Sequence, residues 1–510
     1  MKRLTTRALA MSVTMIAVLG PCLMARAETL TAASALEQAL AQNPTLRAAV
    51  LDLQATHEAL RAAQAAHRPA LQVGVDGGHN ESLISTMSGV APNADNRVGL
   101  DVGLSYASKA GTALSVEVGG AWSSREVNRD PSTTANIDIG STYGVDASVG
   151  VTQPLLRGAG RDVGEADIRA AGFSKTAAEH ARDRAASELV RDVLSAYWEL
   201  WYAQEAVTVN REARELAVKQ LADAEARVRT LGILARTESL RFASELATIE
   251  EQLTEAEADQ RGRSAALDQL LGRGPGDELT VEVGNDGPVA LAGTEPLPSL
   301  EDVVEATRRG SSELQQLTAE LEVARDKVRV ARNGVLPRLD LTASFGVGGV
   351  WNEETITTGG LPNDRPALSG QMGLELELPL GNAQARAELA EARLQADAAE
   401  ARLQAQERQL ETEAATQLDS LRSARRRAEL AEQSVQVARQ LAEAEQEALR
   451  LGTSTALQVL EAQASLRETE LRYRRALVEQ AQAENALDHL TGRLLDQYAV
   501  SAAPREGSAQ

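Results

Sequence analysis

The chain has 510 residues, a formal net charge of -21 and a pI near 4.9. A protein this acidic has no basic face to offer a phosphate backbone, which excludes nucleic acid as a partner. Apolar residues make up 43% but aromatics only 3%, and much of the apolar share is alanine, so helices must approach closely along narrow seams.

The first 27 residues read as an export signal. Lys2 and Arg3 precede an apolar run from about Ala8 to Leu19, and Ala25-Arg26-Ala27 supplies the small-x-small site that a signal peptidase cuts. That run is short for a membrane span of about 20 residues, so the mature chain is expected to begin at Glu28. Cys22 leaves a lipid-anchored N-terminus as the alternative, although Pro21 stands where such a signal needs a small residue. Because Cys22 is the only cysteine, a chain cleaved after Ala27 has neither disulfides nor thiol chemistry. Five histidines (His57, His67, His79, His180, His489) are scattered with no pair at ligand spacing, and each is expected at the surface rather than on a metal.

A helical opening, Leu36 to Ala66, has Asn43-Pro44 as the start signal of its main part and stops before Pro69. From Ala70 the period changes to two. LQVGVDGG, VGLDVGLSYAS, TALSVEVGGAW and YGVDASVGVTQPL alternate small or apolar residues with polar ones between loops rich in Asn, Asp, Ser and Pro. LDLTASFGVGGV (Leu339 to Val350) and SGQMGLELELPL (Ser369 to Leu380) repeat the pattern later. Runs of about 10 residues match a tilted strand crossing a bilayer.

Helices fill the remainder. Proline is absent from about Gly164 to Thr230, where Leu189, Val193, Ala196, Leu200, Ala203 and Val207 recur at spacings of four and three. Leu389, Ala392, Ala396, Ala399 and Leu403 do the same within the proline-free stretch Gly381 to Leu451. Each stretch makes roughly 100 Å of helix at about 1.5 Å per residue. Partner helices at Leu234 to Leu271 and Thr453 to Leu490 would reach roughly 60 Å, lengths that suit a coiled coil. No run of 18 apolar residues follows residue 27, so a membrane could be crossed only by a β-barrel.

The chain also repeats itself. RTLGILARTESL (Arg229 to Leu240) aligns with LRLGTSTALQVL (Leu449 to Leu460), and both Gly232/Gly452 and Gly272/Gly492 lie 220 residues apart. Pro69 and Pro337 are offset by 268, Pro154 and Pro379 by 225, so the first copy holds about 43 extra residues between its prolines. Each copy reads helix, strands, long helix, turn, long helix. Residues 28–273 form the first copy, with strands at about 70–155 and helices at about 161–272. Residues 299–493 form the second, with strands at about 338–380 and helices at about 381–491. The Gly- and Pro-rich 274–298 links them, and 494–510 is a polar tail.

A sheet in hydrocarbon cannot leave an edge unpaired, and the smallest membrane barrels have eight strands. Four strands, at most six, cannot close such a wall. Several chains must therefore share one barrel.

Three segments carry a resemblance over nearly the whole mature chain: Arg450 to Gly492, ARDKVRVARNGVLPRLDL (Ala324 to Leu341) and VTQPLLRGAGRD (Val151 to Asp162). With the duplication and the tip glycines, the chain resembles the TolC family of outer-membrane efflux proteins. The resemblance implies a mainly α fold with a membrane β-barrel portion, assembled as a homotrimer. Four strands per chain would form a shared 12-stranded barrel, and the helices an α-barrel across the periplasm. It further implies a passive exit duct of a tripartite efflux or type I secretion system, in contact with outer-membrane lipid. A periplasmic adaptor (membrane fusion) protein and an inner-membrane pump of RND or ABC type would feed it. No enzyme activity and no cofactor are implied.

By the same resemblance, Leu231-Gly232-Ile233 and Leu451-Gly452-Thr453 are the tips where adaptor hairpins dock. The positions matching the family's acidic constriction are Gln458 and Glu461, with Glu238 and Arg241 in the first copy. Only Glu461 keeps the acid in the second copy, so a double ring of acids is not carried over. Leu449 and Ser454 stand where some members lock the tip with tyrosine and arginine, leaving Glu238 and Arg450 as candidate gating substitutes. The extra strands around Val98 to Trp122 lack a counterpart in the simple pattern; they could extend outside the barrel or form a longer surface hairpin. The rival reading is a structural periplasmic coiled-coil protein without channel activity.

Overall fold

The computed structural model describes residues 29–86, 89–128, 136–231, 233–274, 279–281, 296–352 and 366–498. The expected signal segment, Gly232, most of the linker and the end of the tail lie outside these. The chain separates into two compact units. One comprises Met1–Ala41, Val193–Gly293 and Arg425–Gln482; the other comprises Gln42–Asp192, Thr294–Ala424 and Ala483–Gln510.

In chain order, β1 (Thr29–Leu30), α1 (Ala32–Gln42) and α2 (Pro44–Ala65) lead to the strands β2 (Ala70–Thr86), β3 (Gly89–Ala107), β4 (Ala113–Asn128) and β5 (Asn136–Pro154). A turn of helix, α3 (Arg161–Gly164), precedes the long α4 (Ala166–Leu231) and α5 (Ile233–Leu270). The second copy follows as α6 (Leu300–Gly310), α7 (Ser312–Gly334), β7 (Arg338–Asn352), β8 (Ala367–Glu377), α8 (Ala383–Arg450) and α9 (Ala456–Leu490), with β6 (Thr280–Val281) before it and α10 (Leu494–Gln497) after. Between the copies, the stretch expected to be a plain linker contributes β6, which pairs in parallel with β1.

Glycine ends the helices as the repeat suggested. Gly272, Gly452 and Gly492 take φ of 76, 79 and 75°. In each case the glycine N–H bonds the carbonyl three residues back and the next N–H the carbonyl five back, as in Thr453 to Ala448 at 2.8 Å, Arg273 to Asp268 at 2.9 Å and Arg493 to Asp488 at 2.9 Å. This closing motif needs a left-handed residue, which glycine adopts without steric cost. At its other end α2 begins as its sequence dictates, the Asn43 side chain capping Thr45 and Leu46 N–H at 2.9 and 3.2 Å with Pro44 at the first helical position.

Of the expected seam positions, Leu189, Val193, Leu200, Ala203 and Val207 of α4 are buried and Ala196 is half-buried. On α8 only Ala392 is buried, Leu389, Ala396, Ala399 and Leu403 are half-buried, and the buried seam lies further along at Leu410, Ala414, Leu418, Leu421, Ala424, Ala428, Ala431, Val435 and Ala442. Three other α8 residues, Leu430, Val437 and Leu441, are 47, 66 and 50% exposed, a second apolar stripe that the single chain leaves bare. Within the first unit, Glu199 on α4 accepts from Arg475 at 2.8 Å and Gln482 at 3.0 Å, with Arg263 at 3.4 Å. Burial pushes its carboxyl pKa up, but those hydrogen bonds and the two guanidinium charges outweigh burial and hold it below its ordinary value. In the second unit, Asp326 of α7, sealed at 1% exposure, accepts from Arg169 of α4 through both Nε and Nη2 at 3.1 Å and pairs with Arg329 at 2.6 Å.

One expectation about histidine needs correcting. His489 is not a free surface side chain: it is half-buried in the second unit, and its Nδ1 shares a 2.7 Å hydrogen bond with Ser187 Oγ. It sits on α9 where the helix faces α4, a placement set by packing and not by any local signal.

Candidate functional site

Two regions bear on function, a two-faced sheet in the second unit and a helix turn in the first. The sheet runs β2-β3-β4-β5-β7-β8, every neighbour antiparallel. It holds six strands where the resemblance implied four per chain. The physical reason lies in the insertion: β3 and β4 are as long and as regularly alternating as their neighbours, so they pair within the sheet between β2 and β5.

Register puts matching side chains on each face. Val73 pairs with Val102, Val102 with Val118, Val118 with Ala147, Ala147 with Val347, and Val347 with Leu368, one apolar row across all six strands. Parallel rows hold Leu71, Leu104 and Val116, and Val75 with Leu100; Val75, Met372 and Leu374 are 75, 75 and 68% exposed. At the end of the sheet away from the helices, Trp122 pairs with Tyr143 and Tyr143 with Trp351, an aromatic row on the same face.

The opposite face is polar and sparse. Asp101 pairs with Gly119, which pairs in turn with Asp146, and a Cβ at Gly119 would lie 3.0 and 3.1 Å from their carboxylate oxygens. Asp76 lies opposite Gly99 and Glu117 opposite Gly103. Glycine thus makes room for acids that project from neighbouring strands.

The helix turn presents the second-copy tip. Leu451 is 64% exposed, Gly452 has open space around its Cα, and Thr453 Oγ1 donates to the Ala448 carbonyl at 3.1 Å. Gly232 lies outside the described residues, as do the side chains of Leu231 and Ile233. Behind the turn Ala224, Phe242, Ala456 and Leu460 form a small core. Gln458 is tied down locally, its Oε1 accepting from Thr455 N at 3.1 Å and Thr455 Oγ1 at 3.0 Å. Glu461, one turn on, is exposed, and Glu238 is half-buried.

Arg450 pairs with Glu447 on its own helix at 2.6 and 2.8 Å, and this hydrogen bond holds the Glu447 carboxyl below its ordinary pKa. The Arg450 guanidinium, one of the two candidate gating substitutes, thus bonds a carboxylate one turn back on its own helix. Ser454 Oγ donates to Glu445 at 2.5 Å, a bond that ties the turn to the end of α8 and that no helical spacing announces.

A duplicated helical hairpin joined to an open sheet with one apolar and one polar face defines a mainly α fold with a membrane β-barrel portion. The chain matches the model of the outer membrane efflux protein family over residues 35–273 and 303–493, and it belongs to that family. No curated protein matches the sequence. Among solved structures it is similar to the outer-membrane channel OprN, with a TM-score of 0.63 at 17% identity over 90% of this chain and 89% of that one. It is also similar to the Campylobacter jejuni CmeC outer membrane channel (TM-score 0.64, 15% identity, 91% and 86% covered). The open state of the Neisseria gonorrhoeae MtrE outer membrane channel gives a TM-score of 0.61 at 17% identity, with 91% and 89% covered. At such identities the likeness carries the fold.

Proposed function

We propose that the protein is the passive exit duct of a tripartite efflux or type I secretion system, acting as a homotrimer. The observation that carries this reading is the sheet: one face continuously apolar, the other polar and acidic, with both outer edges facing no further strand among the described residues. The apolar face suits lipid and the polar face a water-filled lumen. From Leu114 to Trp122 the apolar run of β4 covers about 27 Å of strand, or about 20 Å at a tilt near 40°, close to the apolar band of an outer-membrane barrel. The row Trp122, Tyr143, Trp351 then marks the outer interface, where amphipathic rings settle.

The bare stripe of Leu430, Val437 and Leu441 supports neighbours on both sides of each helical hairpin. A periplasmic adaptor would dock on the tips at Leu231-Gly232-Ile233 and Leu451-Gly452-Thr453, and an inner-membrane pump of RND or ABC type would supply the cargo. Glu461, with Gln458, Glu238 and Arg450 nearby in sequence or repeat position, forms the constriction. Three copies of Glu461 around a narrow mouth attract cations, and opening requires the tip helices to splay when an adaptor binds them preferentially in that state.

The test is fractionation with outer membranes, heat-modifiable migration on gels and conductance steps in planar bilayers. A water-soluble single chain that never enters lipid would favour a structural coiled-coil protein instead.

A further inference from the structure

We infer that the trimer closes an eighteen-stranded barrel, six strands from each copy, in which the β2 edge of one chain pairs with the β8 edge of the next. The inference rests on the trimeric channel reading above and sets the width of its outer mouth.

Three observations carry it. First, the inserted hairpin is part of the wall. β3 and β4 pair along their length with β2 and β5, and their side chains continue the same apolar and polar rows without a change of face. A hairpin lying outside a barrel would break those rows at its two flanks.

Second, the hairpin is anchored where the sheet meets the helices. Gly160 N donates to the Ala110 carbonyl at 3.2 Å in the β3–β4 turn. A Cβ at Gly111 would collide with the Gly158 carbonyl, and one at Gly164 with the Lys109 carbonyl. Backbone packed on backbone in this way leaves no freedom for the hairpin to swing out.

Third, the two free edges suit one another. The meander has an even number of strands and both ends lie at the helical end, since α2 leads into β2 and β8 leads into α8. Strands β2 and β8 thus run in opposite directions, so copies join by the same antiparallel pairing used within the chain. Both edges carry bare apolar side chains on the lipid-facing side: Leu71, Val73 and Val75 on one, Leu368, Met372 and Leu374 on the other. A lone sheet would leave these edges unsatisfied in hydrocarbon.

The count decides the bore. With strands about 4.8 Å apart and tilted about 40°, eighteen give a backbone diameter of roughly 36 Å against roughly 24 Å for twelve. Allowing about 5 Å per wall for side chains leaves about 26 Å against about 14 Å. Glycines at 74, 99, 103, 119, 144 and 346 on the polar face keep that bore clear. The outer mouth therefore does not sieve small molecules and admits cargo as broad as a folded helical hairpin.

The test uses the full chain in a Cys22→Ser background, so that introduced cysteines are the only thiols. Val73→Cys is combined in turn with Leu368→Cys, Met372→Cys and Leu374→Cys, and the native mass of the purified channel is measured. Expected are a three-chain mass and an inter-chain disulfide in at least one combination. Ser148→Cys, on the polar face, should then react with a maleimide on a rigid carrier about 20 Å wide added from outside. Removing residues 89–128, which joins β2 to β5 with faces preserved, should slow that reaction at least 10-fold. A three-chain channel with no edge disulfide in any combination, or one whose Ser148→Cys excludes the carrier in the full-length protein, overturns the eighteen-strand wall but leaves the duct. A two-chain mass would also overturn it, giving twelve strands from six per copy. A soluble lone chain would instead remove the duct itself.

Discussion

Gly492 tests whether the repeated glycines serve only to turn the chain. Its φ of 75° places alanine in the left-handed region, which costs about 1–2 kcal/mol for an L-residue. An added Cβ there would also run into the backbone carbonyl of Gly310, while a Cβ at Gly310 would meet the Thr491 carbonyl. Neither atom is the flexible end of a side chain, so relief requires backbone movement at about 1–3 kcal/mol. Gly492→Ala should therefore lose roughly 2–5 kcal/mol. Gly452→Ala, with a similar φ of 79° but open space around it, should lose only about 1–2 kcal/mol. Gly310→Ala, at the end of a regular helix, should show the collision alone, about 1–3 kcal/mol. Urea midpoints of the detergent-solubilised trimer, followed by far-ultraviolet circular dichroism, read the three variants against the parent. Equal losses for Gly492→Ala and Gly452→Ala would refute the argument that the two-glycine contact, beyond the turn, holds α6 against the end of α9.

Four further outcomes are expected. Asp326→Ala leaves the partly buried Arg169 without its carboxylate and should cost about 3 kcal/mol in the same urea assay, with Asp326→Asn milder. His489 is held below its ordinary pKa of 6.5, first by burial and then by the Arg191 charge, while Glu188 and Asp192 oppose the shift and Arg184 adds to it. The unfolded chain thus takes up the proton first, so His489 stabilises above about pH 6.5 and its contribution falls as pH drops toward the folded value; His489→Gln should flatten that part of a stability–pH curve. Gly452→Trp should abolish export in a drug-susceptibility assay while the trimer persists on gels; unchanged resistance would remove the docking role. Glu461→Gln should lower cation preference by a factor of about 2 in planar bilayers, and identical reversal potentials would rule it out of the constriction.

Much of the architecture was legible because it rests on local rules. A left-handed helix end demands glycine, so Gly272, Gly452 and Gly492 announced their turns, and proline-free runs with spacings of three and four announced α4 and α8. Strand alternation likewise reported the faces. It could not report membership of the sheet, because the pairing of Val98 with Trp122 and of Trp122 with Tyr143 is decided between segments. For the same reason the aromatic row went unread, although each ring stands at the loop end of an alternating run, a signal that could have found it. At the tip, Glu447 lies three residues from Arg450, a pairing that helical spacing alone would have offered. His489 and Asp326 owe their burial to neighbours distant in the chain, which no local pattern encodes.

Six of the ten buried apolar residues on α8 are alanine: Ala392, Ala414, Ala424, Ala428, Ala431 and Ala442. A methyl group makes a shallow knob, so neighbouring helices along this seam interlock less deeply than leucine would force them to. Axial slippage of one rod past another then meets a low corrugation, so the seam yields to gliding before it yields to unpacking.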